Sequence, residues 1–520
     1  MSLSGKNNPV ETRSNQGKWL RVALPVVLLL AICTAATAYF PKSTKASKAT
    51  APASARANLV APPTVTATDP GPRKLPANAG SFISTLSANE QQIEPSITTE
   101  FNRTHDVIVT SPTDGGLGPR FNSNSCASCH AYPAVGGSSP PSNPLFSVYN
   151  YNGANNTMPS FITTTGPILE ARFINQPGTT IPDGSVHELF TITGRSDAAG
   201  CNIAQPDFVT AAANNNLVLR QVPPTYGDGL IEVVRNSDII NNMNANLTVK
   251  ATLGITGHPN YSGNDGSIQR FGWKAQIRST LLMSAQQMNV EMGVTNETFP
   301  NEVDQTPGCV LNPVPETVTN FTPGILTEMF PGDAERAEYF TQWLAPPTPV
   351  KPTTSTSNGK TQFTNAGCVY CHTTSFKTPA TSRPALGNTT INLYSDLIVH
   401  HMGPGLADGL PQGQAGPDEF RTAPLWGIGQ RLFFMHDGRT ANIVTAIEDH
   451  YSLGNSTYPA SEANQSVTNF NNLSSKNQQD LVNFLRSLKG KLIRAQLESR
   501  TGPRLERPPH NLSGRGLCSL

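Results

Sequence analysis

Two copies of one short pattern are the residues of this chain that could most directly carry chemistry. Residues 126–130 read CASCH and residues 368–372 read CVYCH, so both follow Cys-x-x-Cys-His. Two cysteines at this spacing can form thioethers to the two vinyl groups of one haem, and the adjacent histidine can then reach the iron. The pattern predicts two covalently bound c-type haems. The residues expected to hold them are Cys126, Cys129, His130, Cys368, Cys371 and His372.

Two other kinds of site also use paired cysteines. The four cysteines together could bind zinc, and a single pair could act as a thioredoxin-like dithiol. Neither site explains why a histidine follows at the same offset twice in a chain with 8 Cys and 10 His. The repeated histidine therefore favours c-type haem.

The composition bounds the class of protein. Charged residues make up 14% of the 520 residues, the formal net charge is +1, and Gly (42) and Pro (44) are abundant. Such a composition is typical of a globular protein with long loops, and the length predicts more than one domain. There is no basic excess that would indicate nucleic acid binding.

The N-terminus predicts export. Four cations within residues 1–21 precede an uncharged run over residues 22–38 that ends in Ala-Thr-Ala, a plausible cleavage site for signal peptidase. Residues 1–38 are therefore expected to be a signal peptide, and the protein to be periplasmic or otherwise exported. The run is also close to spanning length, so an N-terminal membrane anchor is the alternative.

Segments rich in Pro, Ser and Thr divide the rest of the chain. Residues 39–74 lack a hydrophobic period and predict a flexible tether, and residues 344–360 predict a linker between the two motifs. Each motif then lies in its own half, 75–345 or 346–488, and a basic tail follows at 489–520.

Local patterns predict a few elements within these halves. Leu481, Phe484, Leu485 and Leu488 share one face of a helix that Ser475 could cap. The apolar runs 230–234 and 247–253 predict short β-strands in the first half. Cys201 and Cys309 could pair as a disulfide in an oxidising compartment or remain two separate buried thiols.

Longer segments resemble a known family. The chain resembles the bacterial di-haem oxidoreductases, sometimes labelled thiol oxidoreductases, and more distantly the di-haem cytochrome c peroxidases and the di-haem enzyme that matures methylamine dehydrogenase. The segments that carry the resemblance are 116–130, 190–201, 270–302, 394–409 and 419–450. The resemblance implies a mainly α fold with two cytochrome c-like haem domains and long loops. We expect the short strands to lie in a loop-rich insertion in the first domain.

The resemblance also implies roles for single residues. In the peroxidases a Glu in a Glu-Met-Gly stretch moves a proton between the peroxide oxygens, and Glu291-Met-Gly293 matches that stretch. A Trp about twenty residues earlier lies between the haems, and Trp273 stands eighteen residues earlier here. On their own residue types, Glu291 would be a surface or capping carboxylate and Trp273 a core aromatic.

Two further sets of polar residues could serve the same sites. Arg278, Gln286 and Gln287 could line the pocket of Glu291, and Arg421 and Arg439 could pair with haem propionates, since a guanidinium suits a carboxylate.

Ligands on the distal side of each iron decide between electron transfer and catalysis. For the second haem we favour His450, a position where the peroxidases have Met, with Met402 next among candidates that also include His400, His401 and His436. Residues 131–158 contain no His that could serve the first haem. Its iron is therefore expected to be open, unless a ligand arrives from His105, His187 or His258.

These expectations combine into one function. The chain is expected to be an exported, peroxidase-like di-haem oxidoreductase that reduces hydrogen peroxide or another small oxidant at the first haem. Electrons would come from a periplasmic cytochrome or cupredoxin through the second haem. The alternatives are a non-catalytic electron-transfer cytochrome, or an enzyme that oxidises a partner protein or a thiol.

Overall fold

The computed structural model describes residues 65–73, 80–109, 114–321, 329–348 and 350–488. The predicted signal peptide, most of the predicted tether and the basic tail lie outside these residues. No helix in the described ranges has both the length and the apolar character that crossing a bilayer requires.

Helices dominate the described chain. They are α1 (Ala88–Asn102), α2 (Cys126–Cys129), α3 (Leu145–Val148), α4 (Phe208–Ala213), α5 (Asp228–Glu232), α6 (Asn236–Met243), α7 (Leu247–Leu253), α8 (Thr280–Met292), α9 (Asp333–Trp343), α10 (Thr354–Asn365), α11 (Ile443–Glu448), α12 (Asn464–Asn471) and α13 (Ser475–Ser487). Short 3-10 turns cover Tyr151–Gly153, Cys368–Tyr370 and Pro384–Leu386. The mainly α class predicted from the sequence is confirmed.

The strands are short and every pairing among them is antiparallel. They are β1 (Arg120–Phe121), β2 (Leu169–Phe173), β3 (Val186–His187), β4 (Phe190–Thr191), β5 (Leu217–Gln221), β6 (Asn320–Phe321), β7 (Met329–Phe330), β8 (Phe376–Lys377), β9 (Thr390–Ile391), β10 (Val399–His401) and β11 (Glu419–Arg421). A three-stranded sheet has the order β3-β2-β5, with Ala171 opposite both His187 and Leu219. The other pairs are β1-β4, β6-β7, β8-β9 and β10-β11.

The two strands predicted at 230–234 and 247–253 are wrong. The first run lies largely in α5, which follows Gly227 at φ 77°. The second run is α7, bounded by Asn246 (φ 59°) and Gly254 (φ 76°). Its Leu247 is 60% exposed while Lys250 is buried, so the apolar residues do not form a sheet face. Short apolar runs bounded by Asn and Gly fit either element, and packing decides between them.

The C-terminal helix α13 closes the second half as predicted, with a small shift in its cap. Its N-cap is Ser474, whose side chain accepts a hydrogen bond from the Asn477 amide, one residue before the expected cap. The predicted face is buried, and each large apolar side chain there contributes about 2 kcal/mol. Its members are Leu481, Phe484, Leu485 and Leu488.

Two predicted flexible segments are partly ordered. Residues 65–73 pack along α13, where Arg486 forms an ion pair with Asp69 at 2.6 Å and Gln478 accepts from the Thr66 amide at 3.0 Å. The predicted linker 344–360 becomes helical at Thr354, because Thr353 caps α10 by accepting from the Thr356 amide. The division into two haem domains stays a prediction.

Cys201 and Cys309 form a disulfide that links chain positions 108 residues apart. The disulfide suggested by the sequence is therefore present, and both cysteines are buried in the core around β2 and α8.

Candidate functional site

The first motif occupies a single helical turn at the wall of a cavity. In α2 the His130 amide donates to the Cys126 carbonyl at 3.0 Å, which brings both cysteines and the histidine to one side. The Nδ1 atom of His130 lies 3.1 Å from the Gly137 carbonyl, so Nε2 remains available as a ligand. Burial lowers the pKa of His130 to about 4, which keeps the imidazole neutral.

The second motif repeats this arrangement in a second cavity. Gly367 at φ 94° starts the 3-10 turn Cys368–Tyr370, and the His372 amide donates to the Cys368 carbonyl at 2.8 Å. The Nδ1 atom of His372 lies 2.9 Å from the Tyr394 carbonyl. A backbone carbonyl on one ring nitrogen is the usual way in which proteins orient a histidine whose other nitrogen binds a metal.

The cysteine chemistry fits haem attachment better than the two alternatives. The four thiols lie in two different cavities, so they cannot bind one zinc ion together. All four are free, and burial raises the pKa of each. A dithiol oxidoreductase needs a thiolate of lowered pKa, which this environment opposes.

The first-motif cavity has a volume of about 440 Å³ and holds the predicted proton-transfer residue. Glu291, Trp273, Gln286 and Gln287 all line it together with the motif. Arg278 does not: its side chain is 57% exposed and forms an ion pair with Asp265 at 2.9 Å. The suggestion that Arg278 lines this pocket is therefore wrong.

Close packing at the end of α8 explains the Glu-Met-Gly sequence. Gly293 caps the helix at φ 70°, and a Cβ there would lie 2.5 Å from the Gly118 Cα atom. This contact brings α8 against the segment leading into the first motif, where Asn122 donates from Nδ2 to Glu291 Oε2 at 2.7 Å. Burial first, and then the charge of Glu170, raise the pKa of Glu291 to about 8. Glu291 can therefore hold or release a proton near neutral pH.

Trp273 borders both motif cavities. Its indole Nε1 donates to the Gln221 carbonyl at 3.0 Å, and its own carbonyl accepts from the Arg421 amide at 2.8 Å. These two bonds fix the ring where the cavities approach each other. Arg421 is the other residue shared by their walls.

The second-motif cavity, of about 210 Å³, contains several candidate distal ligands. His450 lines it, and its Nδ1 lies 2.6 Å from the Ala446 carbonyl, which leaves Nε2 free. His436 and Met402 also line the cavity. His400 does too, but both its nitrogens are engaged, with Glu462 at 2.7 Å and Asp396 at 2.9 Å. His401 bonds to Asp418 and Glu419 and is not part of this wall.

The first-motif cavity has a different composition. Among the described residues that line it, His130 is the one histidine, and three methionines from α8 are also present, Met283, Met288 and Met292. The more distant histidines suggested as ligands are engaged elsewhere. His105 bonds to Gly115, His187 to Asp183 and His258 to Glu419.

Buried arginines indicate whether the two motif cavities could hold the propionate carboxylates of a haem. Arg421 has a buried Nε atom without a hydrogen-bond partner, and burial lowers its pKa to about 10. Arg431 lines the second-motif cavity, burial lowers its pKa to about 10, and it forms no ion pair with a described acidic residue. Haem propionates would supply the anion that Arg431 lacks and would share Arg421 with the buried Asp228. Arg439, by contrast, pairs with Asp437 at 2.7 Å outside both cavities, so its predicted propionate role is wrong.

Sequence reasoning missed Arg431. The signal available was a single cation inside an otherwise apolar stretch, Ile428-Gly-Gln-Arg-Leu-Phe-Phe434, where an unpaired charge would be costly.

Comparison with known structures yields low overall similarity. A MauG-like protein associated with microbial copper homeostasis is 16% identical, with a TM-score of 0.21, over 30% of this chain and 53% of its own. The di-haem peroxidase BthA of Burkholderia thailandensis E264 is 16% identical, with a TM-score of 0.26, over 42% of this chain and 66% of its own. Hydrazine synthase of Kuenenia stuttgartiensis is 13% identical, with a TM-score of 0.30, over 82% of this chain and 99% of its own. The chain thus spans 53% and 66% of the lengths of the first two structures.

Comparison with sequence families is more informative. No curated protein matches the chain. A family model described as "Di-haem oxidoreductase, putative peroxidase" matches residues 176–488, which are 313 of the 520 residues. The match includes Trp273, Glu291 and the second motif. The chain therefore belongs to the di-haem oxidoreductase family.

Proposed function

We propose that this protein is an exported, c-type di-haem peroxidase. It reduces hydrogen peroxide or another small oxidant in the first-motif cavity and receives electrons at the second-motif cavity. The donor is a small periplasmic cytochrome or cupredoxin. Residues 1–38 direct export, and residues 75–345 and 346–488 each form one haem domain.

The two cavities that Trp273 borders differ in their ionisable residues, and this difference supports the proposal. The first-motif cavity contains a carboxyl group suited to proton transfer, Glu291, and no second histidine among its described lining residues. The second-motif cavity contains further imidazoles, including His450 and His436. In the first-motif cavity an iron would keep a coordination position free for a substrate, and in the second-motif cavity a histidine would fill that position. The Trp273 indole lies at the boundary between the two cavities.

Each motif has the groups needed to hold one haem. Cys126 and Cys129, or Cys368 and Cys371, would form the thioethers, and His130 or His372 would bind the iron through Nε2. Arg421 and Arg431 would pair with the propionates. When bound, the haem irons supply the redox changes that store and transfer single electrons.

Glu291 supplies the acid–base chemistry. Its carboxyl group accepts a hydrogen bond from Asn122 through Oε2, and the residue lines the first-motif cavity. Because its pKa is about 8, the group can take a proton from one peroxide oxygen and return it to the other near neutral pH. Gln286 and Gln287 line the same cavity.

The test replaces the carboxyl group and keeps its shape. Glu291→Gln should lower peroxide turnover by about 10²-fold or more, because general acid–base groups contribute on that scale. The reduction potentials of both haems should change little. Glu297→Gln, at an exposed Glu six residues away, is the matched control. A Glu291→Gln protein with wild-type turnover, or a wild type without peroxide turnover, would contradict the proposal and favour an electron carrier.

A further inference from the structure

Glu188 is a buried carboxyl group in the first-motif cavity, which Glu291 and Asp228 also line. It lies between β3 and β4, is 2% exposed, and lines the same cavity as Glu291. Its Oε1 atom has no hydrogen-bond partner among the described residues. An ionised carboxylate that is buried without a hydrogen-bond partner costs free energy. The Glu188 carboxyl group therefore needs a proton, a cation or a polar ligand from the cavity.

The charged groups around Glu188 do not neutralise it. Glu188 lies within electrostatic range of Glu291, and other charged residues act on the pKa of one or both of these carboxyl groups. They are Arg120, Arg172, Glu170, Asp304 and Glu302. Arg120 forms an ion pair with Asp304 at 2.8 Å, and Arg172 forms one with Glu170. Both cations are thus committed to other acids, and Glu188 shares the cavity with a second acid, Glu291. Burial raises the pKa of Glu188 to about 7.

The proposed reaction needs protons that Glu291 alone does not supply. Reduction of hydrogen peroxide breaks the O–O bond and consumes two electrons and two protons to give two water molecules. A proton that Glu291 moves from one peroxide oxygen to the other is returned to the substrate, so this transfer provides neither of the two protons. Both must enter the cavity from solvent while the donor protein supplies the two electrons.

We propose that Glu188 is a proton-relay residue that carries these protons from solvent to Glu291. The inference rests on the proposed peroxidase function. Glu188 acts through Glu291, and its free Oε1 is the atom that takes up and releases the proton. The Glu170–Arg172 ion pair lines the cavity beside this carboxyl pair and keeps that part of the cavity polar.

The kinetic test compares Glu188→Gln with Glu188→Asp, which keeps an ionisable group, and with the exposed control Glu297→Gln. Turnover at saturating peroxide and donor should fall about tenfold in Glu188→Gln, recover in part in Glu188→Asp, and stay at the wild-type level in Glu297→Gln. The KM for peroxide should change little. Wild-type turnover should fall as the pH rises through about 7, where Glu188 loses its proton, and this limb should be absent from Glu188→Gln.

A second measurement does not depend on peroxide turnover. Reduction of the first haem adds an electron near the carboxyl pair and should be accompanied by proton uptake, so its potential should decrease with rising pH near 7. Glu188→Gln should weaken this dependence. If neither the wild type nor a variant turns over peroxide but the pH dependence of the potential is lost in Glu188→Gln, the proposed function fails, while Glu188 is still the group that takes up a proton when the first haem is reduced. Unchanged pH dependence of both turnover and potential in Glu188→Gln would overturn the relay.

Discussion

The rings of Trp273 and His436 meet edge to face, with centroids 6.4 Å apart and an interplanar angle of 72°. Trp273 borders both motif cavities, and His436 lines the second. On the second-cavity side, Phe420 stacks on His436 at 4.3 Å. A continuous set of aromatic rings therefore runs from the boundary of the two cavities into the second, along the path that we propose for the electron.

Replacing the Trp273 indole should slow electron transfer between the two haems. Trp273→Phe is expected to reduce the rate of electron transfer between the haems severalfold and to leave both reduction potentials nearly unchanged, because phenylalanine is harder to oxidise and shorter. Rapid mixing of half-reduced protein with peroxide, followed optically at each haem, measures the rate. Trp343→Phe is the control, since Trp343 is buried but lines neither motif cavity. Equal rates in wild type and Trp273→Phe would exclude this path.

The site was more predictable than the fold around it. The spacing of Cys126, Cys129 and His130 is imposed by the porphyrin, so it is readable without knowledge of packing. Trp273 and Glu291 were located by resemblance, and the structure places both at the first-motif cavity. Their functional roles stay predictions. Arg431 offered only the weak signal of a cation in a largely apolar stretch, and Glu188 offered none, because the surroundings of both depend on neighbours distant in the chain.

Secondary structure was less predictable where runs are short. Leu247–Leu253 has the β-branched residues of a strand, yet left-handed Asn246 and Gly254 bound it as a helix. Thr354 starts α10 inside a segment whose composition predicts a linker. Local propensity is worth only tenths of a kcal/mol per residue, less than one cap, so the residues that bound each helix and its packing decided both cases.

Removing the charge of Arg431, which has no ion pair with a described acidic residue, should lower the reduction potential of the second haem selectively. In Arg431→Gln the second haem is expected to have a lower reduction potential, because a buried positive charge favours the reduced form. Arg421→Gln should affect both haems, since Arg421 borders both cavities. Spectroelectrochemical titration resolves the two potentials. Arg439 pairs with Asp437, so Arg439→Gln serves as the control and should leave both reduction potentials unchanged. An Arg431→Gln protein with unchanged potentials would rule out the propionate contact.

A buried pair of carboxyl groups should make the protein less stable as the pH rises. Burial, and then a hydrogen bond to Glu316, raise the pKa of Glu302 to about 10. At low pH the group is protonated in both states. Above its ordinary value of 4.5, the unfolded chain loses a proton that the folded protein keeps. The free energy of unfolding should then fall by at most about 1.4 kcal/mol per pH unit for this one proton.

Thermal unfolding of Glu302→Gln tests this pH dependence. The amide can still donate to Glu316 but does not ionise, so the decline in stability between pH 5 and pH 9 should be shallower than in the wild type. The exposed control Glu297→Gln should follow the wild type. Parallel declines in all three proteins would show that Glu302 is ionised in the folded state.

The disulfide should stabilise the first half. Replacing Cys201 and Cys309 by Ser opens a loop of 108 residues and should lower the free energy of unfolding by about 2–4 kcal/mol. Denaturant titration with and without a reductant provides the control. Reduction should bring the wild type to the level of the double variant and leave the variant unchanged. A wild type that is insensitive to reductant would mean that the bond contributes little.

EPR spectroscopy of the protein matured with both haems, fully oxidised and then half-reduced, tests the central claim most directly. We expect a high-spin ferric signal from an open first haem alongside a low-spin signal from the second. Half-reduction should remove the low-spin signal, and added peroxide should then react at the remaining ferric haem. Two low-spin signals that persist on half-reduction would rule out an open first haem, since both irons would then be closed to substrate.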